Sequence, residues 1–172
     1  MLRGILISMF LTSTALADTW TVDDDGKADF DNIQAAVDAS SDGDEIIVAP
    51  GTYTSTEDEV VDMRGKTVWL HSSDGANVTI IDCVGKGRGI LGIEQNEGIT
   101  LIEGFTITNG YKDNSSKGGG IWWENGELVL RDCIFENNQS VGNFAGGGGG
   151  YIRDTELTID SCIFRNNSAN TK

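Results

Sequence analysis

Apolar and polar residues alternate in short runs along most of the chain, and one such run occurs twice. Glu127–Asn138 reads ELVLRDCIFENN and Glu156–Asn167 reads ELTIDSCIFRNN, 29 positions apart. Each follows a glycine run, Gly118–Gly120 and Gly146–Gly150, read as a flexible stretch within the repeating unit. Alternation with a period of two marks strands. A period near 30 that ends in an Asn pair marks stacked coils of parallel strands. Strands one coil apart pair only in parallel, and the crossover rule then favours right-handed winding. The predicted fold class is therefore all-β, a right-handed parallel β-helix (a solenoid), with a short N-terminal capping helix.

That helix is expected over about Asn32–Ala39, where Ile33, Ala36 and Val37 fall at helical spacing. Asp31 is placed to cap it and Gln34 to complete a capping box. Laid over the first coil, a helix shields an edge that would otherwise template aggregation. After it come short strands in two rhythms. Ile46 and Val48 are followed by Val68 and Leu70 and then by Ile90 and Gly92, in steps of 22, while Val61–Lys66 resembles Ile81–Lys86 at a step of 20. Later steps lengthen: Ile81, Ile102, Leu130 and Ile159 lie 21, 28 and 29 apart, and Ile107, Phe135 and Phe164 lie 28 and 29 apart. Val68, Leu70, Ile81, Ile102, Leu130, Phe135, Ile159 and Phe164 are expected to point inward, in two strand faces per coil, with the glycine runs absorbing the added length as loops. Asn109, Asn137 and Asn166 recur at the turns and are expected to stack their amides along the axis. Asn77, Asn114, Asn138 and Asn166 also match the glycosylation pattern, which Asn/Ser/Thr-rich turns generate by chance.

Composition changes the picture mainly at the start. A basic opening at Arg3, an apolar Gly4–Leu11 and the small residues of Ala15-Leu16-Ala17 read as a secretory signal peptide over residues 1–17. The apolar stretch is too short to span a bilayer. Residues 18–172 then form one β-helix domain with no transmembrane segment, expected to be incomplete at its C-terminal end because no lid follows the last coil. The expected location is secreted, or at the cell envelope or outer-membrane surface. The formal net charge of −15 repels phosphate backbones, which argues against nucleic acid as a partner. Cys83, Cys133 and Cys162 carry no zinc-ligand spacing. Cys133 and Cys162 sit at equivalent repeat positions, near enough for a disulfide or for a reduced stack.

Ala28–Val37 together with Asp44–Tyr53 resembles the capping helix and first coil of pectin-lyase-like right-handed parallel β-helix proteins. Gly119-Gly120-Ile121 with Phe135–Asn138, and Gly149-Gly150-Tyr151 with Phe164–Asn167, are similar to the repeats of polymorphic outer-membrane proteins, with Gly where those repeats carry Ala. The resemblance implies the solenoid fold and does not imply one activity. Pectin-active members use outward carboxylates, arginines or histidines. This chain lacks the NTD segment and the His-Gly of polygalacturonases, and its only adjacent aspartates lie in the turn at Asp23–Asp25. No catalytic residue is carried over.

Four carboxylates, Asp62, Asp82, Glu103 and Asp160, follow inward aliphatic residues. On adjacent coils a pair such as Asp82 and Glu103 would lie roughly 5 Å apart, suited to calcium or a glycosidase pair, although Arg131 interrupts the series. No cofactor is expected otherwise, calcium being the cation considered for such a pair. The GxGxxG at Gly87–Gly92 has no helix after it to bind phosphate. Trp122 and Trp123 must point to opposite faces, so one indole meets solvent, where it can stack on a sugar. Core packing is the competing reading. The chain is thus expected to be an exported structural or surface-interaction module with polysaccharide or cell-envelope partners. The alternative is the N-terminal part of a polysaccharide lyase or glycoside hydrolase whose active groups lie on other coils.

Overall fold

A computed structural model describes residues 16–93, 96–113, 117–142 and 145–170. The residues read as a leader lie, up to Ala15, outside that range, as does Asn114. All strand pairs are parallel, and the backbone winds through about five right-handed coils. Each coil visits three sheets in turn. The first sheet stacks Thr19–Val22, Glu45–Val48, Trp69–Ser72, Ile99–Glu103, Glu127–Arg131 and Glu156–Asp160 in that order. The second stacks Gly51–Tyr53, Thr79–Asp82, Thr106–Thr108, Ile134–Glu136 and Ile163–Arg165. The third stacks Glu59–Asp62, Arg88–Gly92, Ile121–Glu124 and Gly150–Arg153. A short fourth sheet, Tyr111–Lys112, Gln139–Val141 and Ser168–Asn170, appears only in the later coils.

Two faces per coil are thus too few, and the early steps of 20 and 22 do not give the register. Ile46 pairs with Leu70 and Leu70 with Ile102 on the first sheet, whereas Ile90 pairs with Val61 and Ile121 on the third. Ile81 belongs to the second sheet, between Tyr53 and Ile107. Short aliphatic strands look alike whichever sheet they join, so spacing alone misassigned them. The register of the later coils is as expected: Ile102, Leu130 and Ile159 align, as do Ile107, Phe135 and Phe164. Val68, Leu70, Ile81, Ile102, Leu130 and Phe135 are buried, while Ile159 and Phe164 are not. They lie on the last described coil, which is covered on one side only.

Corners are made by residues in the left-handed conformation. Asn109, Asn137 and Asn166, with φ of 58, 56 and 56°, close the second sheet, and Asp132 and Ser161 at 50 and 54° close the first. This moves the amide ladder by one residue. The left-handed asparagines point outward, and the ladder amides belong to Asn138, which is buried, and Asn167, which is half-buried. Asn138 Oδ1 accepts from Gly110 N at 2.8 Å, and its Nδ2 donates to Ile107 O at 2.9 Å. Asn167 repeats the pattern, accepting from Asn138 N at 3.0 Å and donating to Phe135 O at 2.8 Å. A buried Asn138 does not serve as a glycan acceptor. The glycine runs are ordered as well: Gly118 N donates to Gly146 O, Gly120 N to Gly148 O and Ile121 N to Gly149 O. A Cβ on Gly120 would meet Gly149 O at 2.3 Å, so close coil-to-coil packing explains the glycine better than flexibility does.

The helix spans Ile33–Ala39, capped by Asn32, whose side chain accepts from Ala35 N at 2.8 Å, rather than by Asp31. Gln34 leaves the predicted capping box for the first strand of the third sheet. Its amide donates to Asp62 O at 3.0 Å and accepts from Asp62 N at 2.7 Å, satisfying edge groups as a neighbouring strand would. Lys66 Nζ closes the C-terminal end on the carbonyls of Val37, Asp38 and Ser40 at 2.6, 2.8 and 2.7 Å.

Candidate functional site

In Val68-Trp69-Leu70-His71, Val68 and Leu70 enter the core, so Trp69 and His71 share the outward face of the first sheet. Their rings stack with centroids 4.2 Å apart and planes inclined by 23°. Trp69 remains 41% exposed. His71 Nε2 donates to Glu45 Oε1 at 3.0 Å, and Thr19 Oγ1 donates to Glu45 Oε2 at 3.0 Å. Thr19 thus orients Glu45, Glu45 holds the imidazole through Nε2, and the indole stacks on that imidazole. Further along the axis Glu103, Arg131 and Asp160 continue the outward row that contains His71. Arg131 Nη1 lies 3.4 Å from Glu103 Oε2, and its Nε lies 3.7 Å from Asp160 Oδ2. Six strands make this face about 29 Å wide along the coil axis, counting about 4.8 Å per strand.

The two tryptophans singled out in the sequence do separate. Trp123 is fully buried, its indole donating to Asn125 O at 3.0 Å. Trp122 points outward from the third sheet, half-buried, and donates to Glu124 Oε1 at 2.9 Å. The Arg88 guanidinium carbon stands 4.7 Å from the Trp122 ring centroid and Lys117 Nζ stands 5.9 Å away. Cations of the chain itself thus lie against the surface a sugar would use. Arg88 is itself buried, donating to Gly118 O and Lys117 O at 2.8 and 2.9 Å and to Glu59 at 2.7 Å. It anchors the glycine turn. Burial pushes its guanidinium below the ordinary arginine range, opposed by Glu59 beside it.

The four carboxylates do not form one ladder. Asp62 lies on the third sheet, Asp82 on the second, and Glu103 and Asp160 on the first. Asp82 therefore does not share a cation with Glu103. It accepts from Val84 N at 2.8 Å and Asn109 Nδ2 at 3.0 Å, beside an open groove of about 400 Å³ lined also by Tyr111, Asn137 and Gln139. Among the described residues no group of three or more His, Cys, Asp or Glu side chains is arranged to hold a metal ion. Nor is any helix among them long and apolar enough to cross a membrane.

Trp69 and His71 escaped the sequence reading. The available signal was their i, i+2 spacing between two inward aliphatic residues, which puts an aromatic ring and an imidazole side by side on a strand.

No family model and no curated protein matches the chain. Among solved structures, a pectin methylesterase from carrot is similar, with a TM-score of 0.50 and 17% identity over 86% of this chain and 54% of that one. The chain thus spans about half the length of that enzyme. At this identity the likeness concerns the path of the backbone, not the side chains. On coil topology, register and this likeness together, the chain has the right-handed parallel β-helix fold of pectin-lyase-like proteins.

Proposed function

We propose that this β-helix is an exported carbohydrate-binding module whose ligand lies along the outward face of the first sheet, with Trp69 as the sugar platform. The single observation that carries the reading is an exposed indole stacked on a hydrogen-bonded imidazole on the outward face of the first sheet. Such a ring presents an apolar face to a pyranose at little cost in side-chain entropy. Glu45, Glu103, Arg131 and Asp160 supply hydrogen-bonding groups for hydroxyls on either side. The net charge of −15 disfavours polyuronates and favours neutral glycans. The leader-like residues 1–17 support export to the cell surface or beyond, where such polymers occur.

Binding of neutral and acidic polysaccharides is measured by calorimetry or affinity electrophoresis with the wild type and Trp69→Ala. The expected result is binding of a neutral polymer that weakens about tenfold in the variant, equivalent to about 1.4 kcal/mol. Equal affinity of the two proteins would overturn the assignment of Trp69. Assaying the same polymers for chain cleavage or ester release tests the alternative, a portion of a polysaccharide-degrading enzyme.

A further inference from the structure

Cys133 and Cys162 play no part in the face just described. Each precedes by one residue the strand pair in which Ile134 aligns with Ile163, and Ile163 N donates to Cys133 O at 2.9 Å. The two cysteines are therefore in-register neighbours on adjacent coils, with Cα atoms separated by about 4.8 Å, inside the range a disulfide spans. The interaction between the two neighbouring thiols draws Cys162 down to about 7 and holds Cys133, the protonated partner, well above the usual thiol range. Access differs in the same sense. Cys133 is fully buried, its Sγ donating to Arg131 O at 3.2 Å, whereas Cys162 is only partly buried. Both thiols are free in the structure, and Cys83 is a buried thiol on another corner, between Asp82 of the second sheet and Val84.

We propose that Cys133 and Cys162 form a coil-to-coil disulfide when the protein meets a small-molecule disulfide, with Cys162 as the entry thiol and Cys133 as the resolving one. The Cys162 thiolate attacks one sulfur of R–S–S–R. That bond breaks, and the released thiolate takes up the proton that Cys162 gave up. Cys133 loses its proton and attacks the Cys162 sulfur of the mixed disulfide, expelling the second R–S⁻, which the proton neutralises. Two protein thiols are oxidised and one small disulfide is reduced to two thiols. The bridge pins the last described coil to the one before it and closes a loop that contains the Gly146–Gly150 run.

The full chain is incubated with oxidised glutathione, quenched in acid, alkylated after unfolding and mapped by mass spectrometry. The expected product is a Cys133–Cys162 peptide pair, with Cys83 alkylated. In Cys133→Ser the reaction is expected to stop at a glutathione adduct on Cys162 that outlives the wild-type adduct at least about tenfold, since no resolving thiol remains. Cys83→Ser is expected to bridge as the wild type does. Three results would overturn the proposal: a lasting glutathione adduct in the wild type with Cys133 alkylated, pairing of either residue with Cys83, or disulfide-linked dimers. The wild-type map decides the matter even should a variant fail to fold.

Discussion

Phe135 and Phe164 hold the same place in the repeat and stack with ring centroids 4.8 Å apart, yet Phe135 is fully buried and Phe164 is 46% exposed. Leu130 and Ile159 differ in the same way. At the opposite end, the first coil is covered by the Ile33–Ala39 helix, with Gln34 bonded to the strand edge and Lys66 to the helix carbonyls. A solenoid side chain gains its burial from two neighbours, one on each side along the axis. Identical sequence therefore does not mean identical environment, and the contribution of a repeat position depends on what is stacked upon it.

The largest test of this contrast is a pair of substitutions. Phe135→Ala is expected to cost about 3–5 kcal/mol, because it opens a cavity between two coils. Phe164→Ala is expected to cost about 1–2 kcal/mol, because half of that ring already meets water. Denaturant titration giving equal losses would break the comparison.

The covered end offers the next effect. Asp44 accepts from Asp18 N and Ser41 N at 2.8 Å each and from the Trp20 indole at 3.1 Å. Asp44→Ala leaves these donors unpaired, at an expected cost of about 2–4 kcal/mol in the same titration. Burial acting alone would raise the Asp44 carboxyl, but these hydrogen bonds, with Lys66 nearby, outweigh it and hold the group below the ordinary aspartate range. A folded value below the unfolded one means that the contribution is complete above about pH 4 and disappears as pH falls through the folded value. Melting curves from pH 6 to pH 2 should therefore show an acid loss that Asp44→Asn reduces.

A smaller difference is expected along the amide ladder. Asn138→Ala removes a fully buried link between Gly110, Ile107 and Asn167 and should cost about 2–3 kcal/mol, against about 1 kcal/mol for Asn167→Ala on the open coil. The smallest stability effect belongs to Trp69→Ala, within about 0.5 kcal/mol, since the indole stands outside the core. Its effect is expected on binding instead. A large drop in Tm for that variant would turn the platform into a structural element.

Much of the solenoid was legible because its repeat is carried by residues with few substitutes. The paired ELVLRDCIFENN and ELTIDSCIFRNN runs predict the register of Leu130 with Ile159 and of Phe135 with Phe164, and both pairs are found. The earlier coils lack such markers. Ile46, Leu70, Ile81 and Ile90 are interchangeable as inward aliphatics, so three sheets were read as two. At the candidate site, Trp122 was noticed for its doublet and Trp69 was not, although the burial of Val68 and Leu70 turns Trp69 and His71 to one face.

The sequence by itself determined that the backbone coils, which way it winds and which later residues stack, because period, alternation and the chirality of parallel crossovers are local properties. Only the tertiary structure decided which carboxylates share a face, that the amides of the ladder are those of Asn138 and Asn167, and that the Trp122 ring faces cations of its own chain. Those outcomes depend on where each corner takes its left-handed residue. A shift of one position there sends a side chain from the core to solvent, and no spacing along the chain records it.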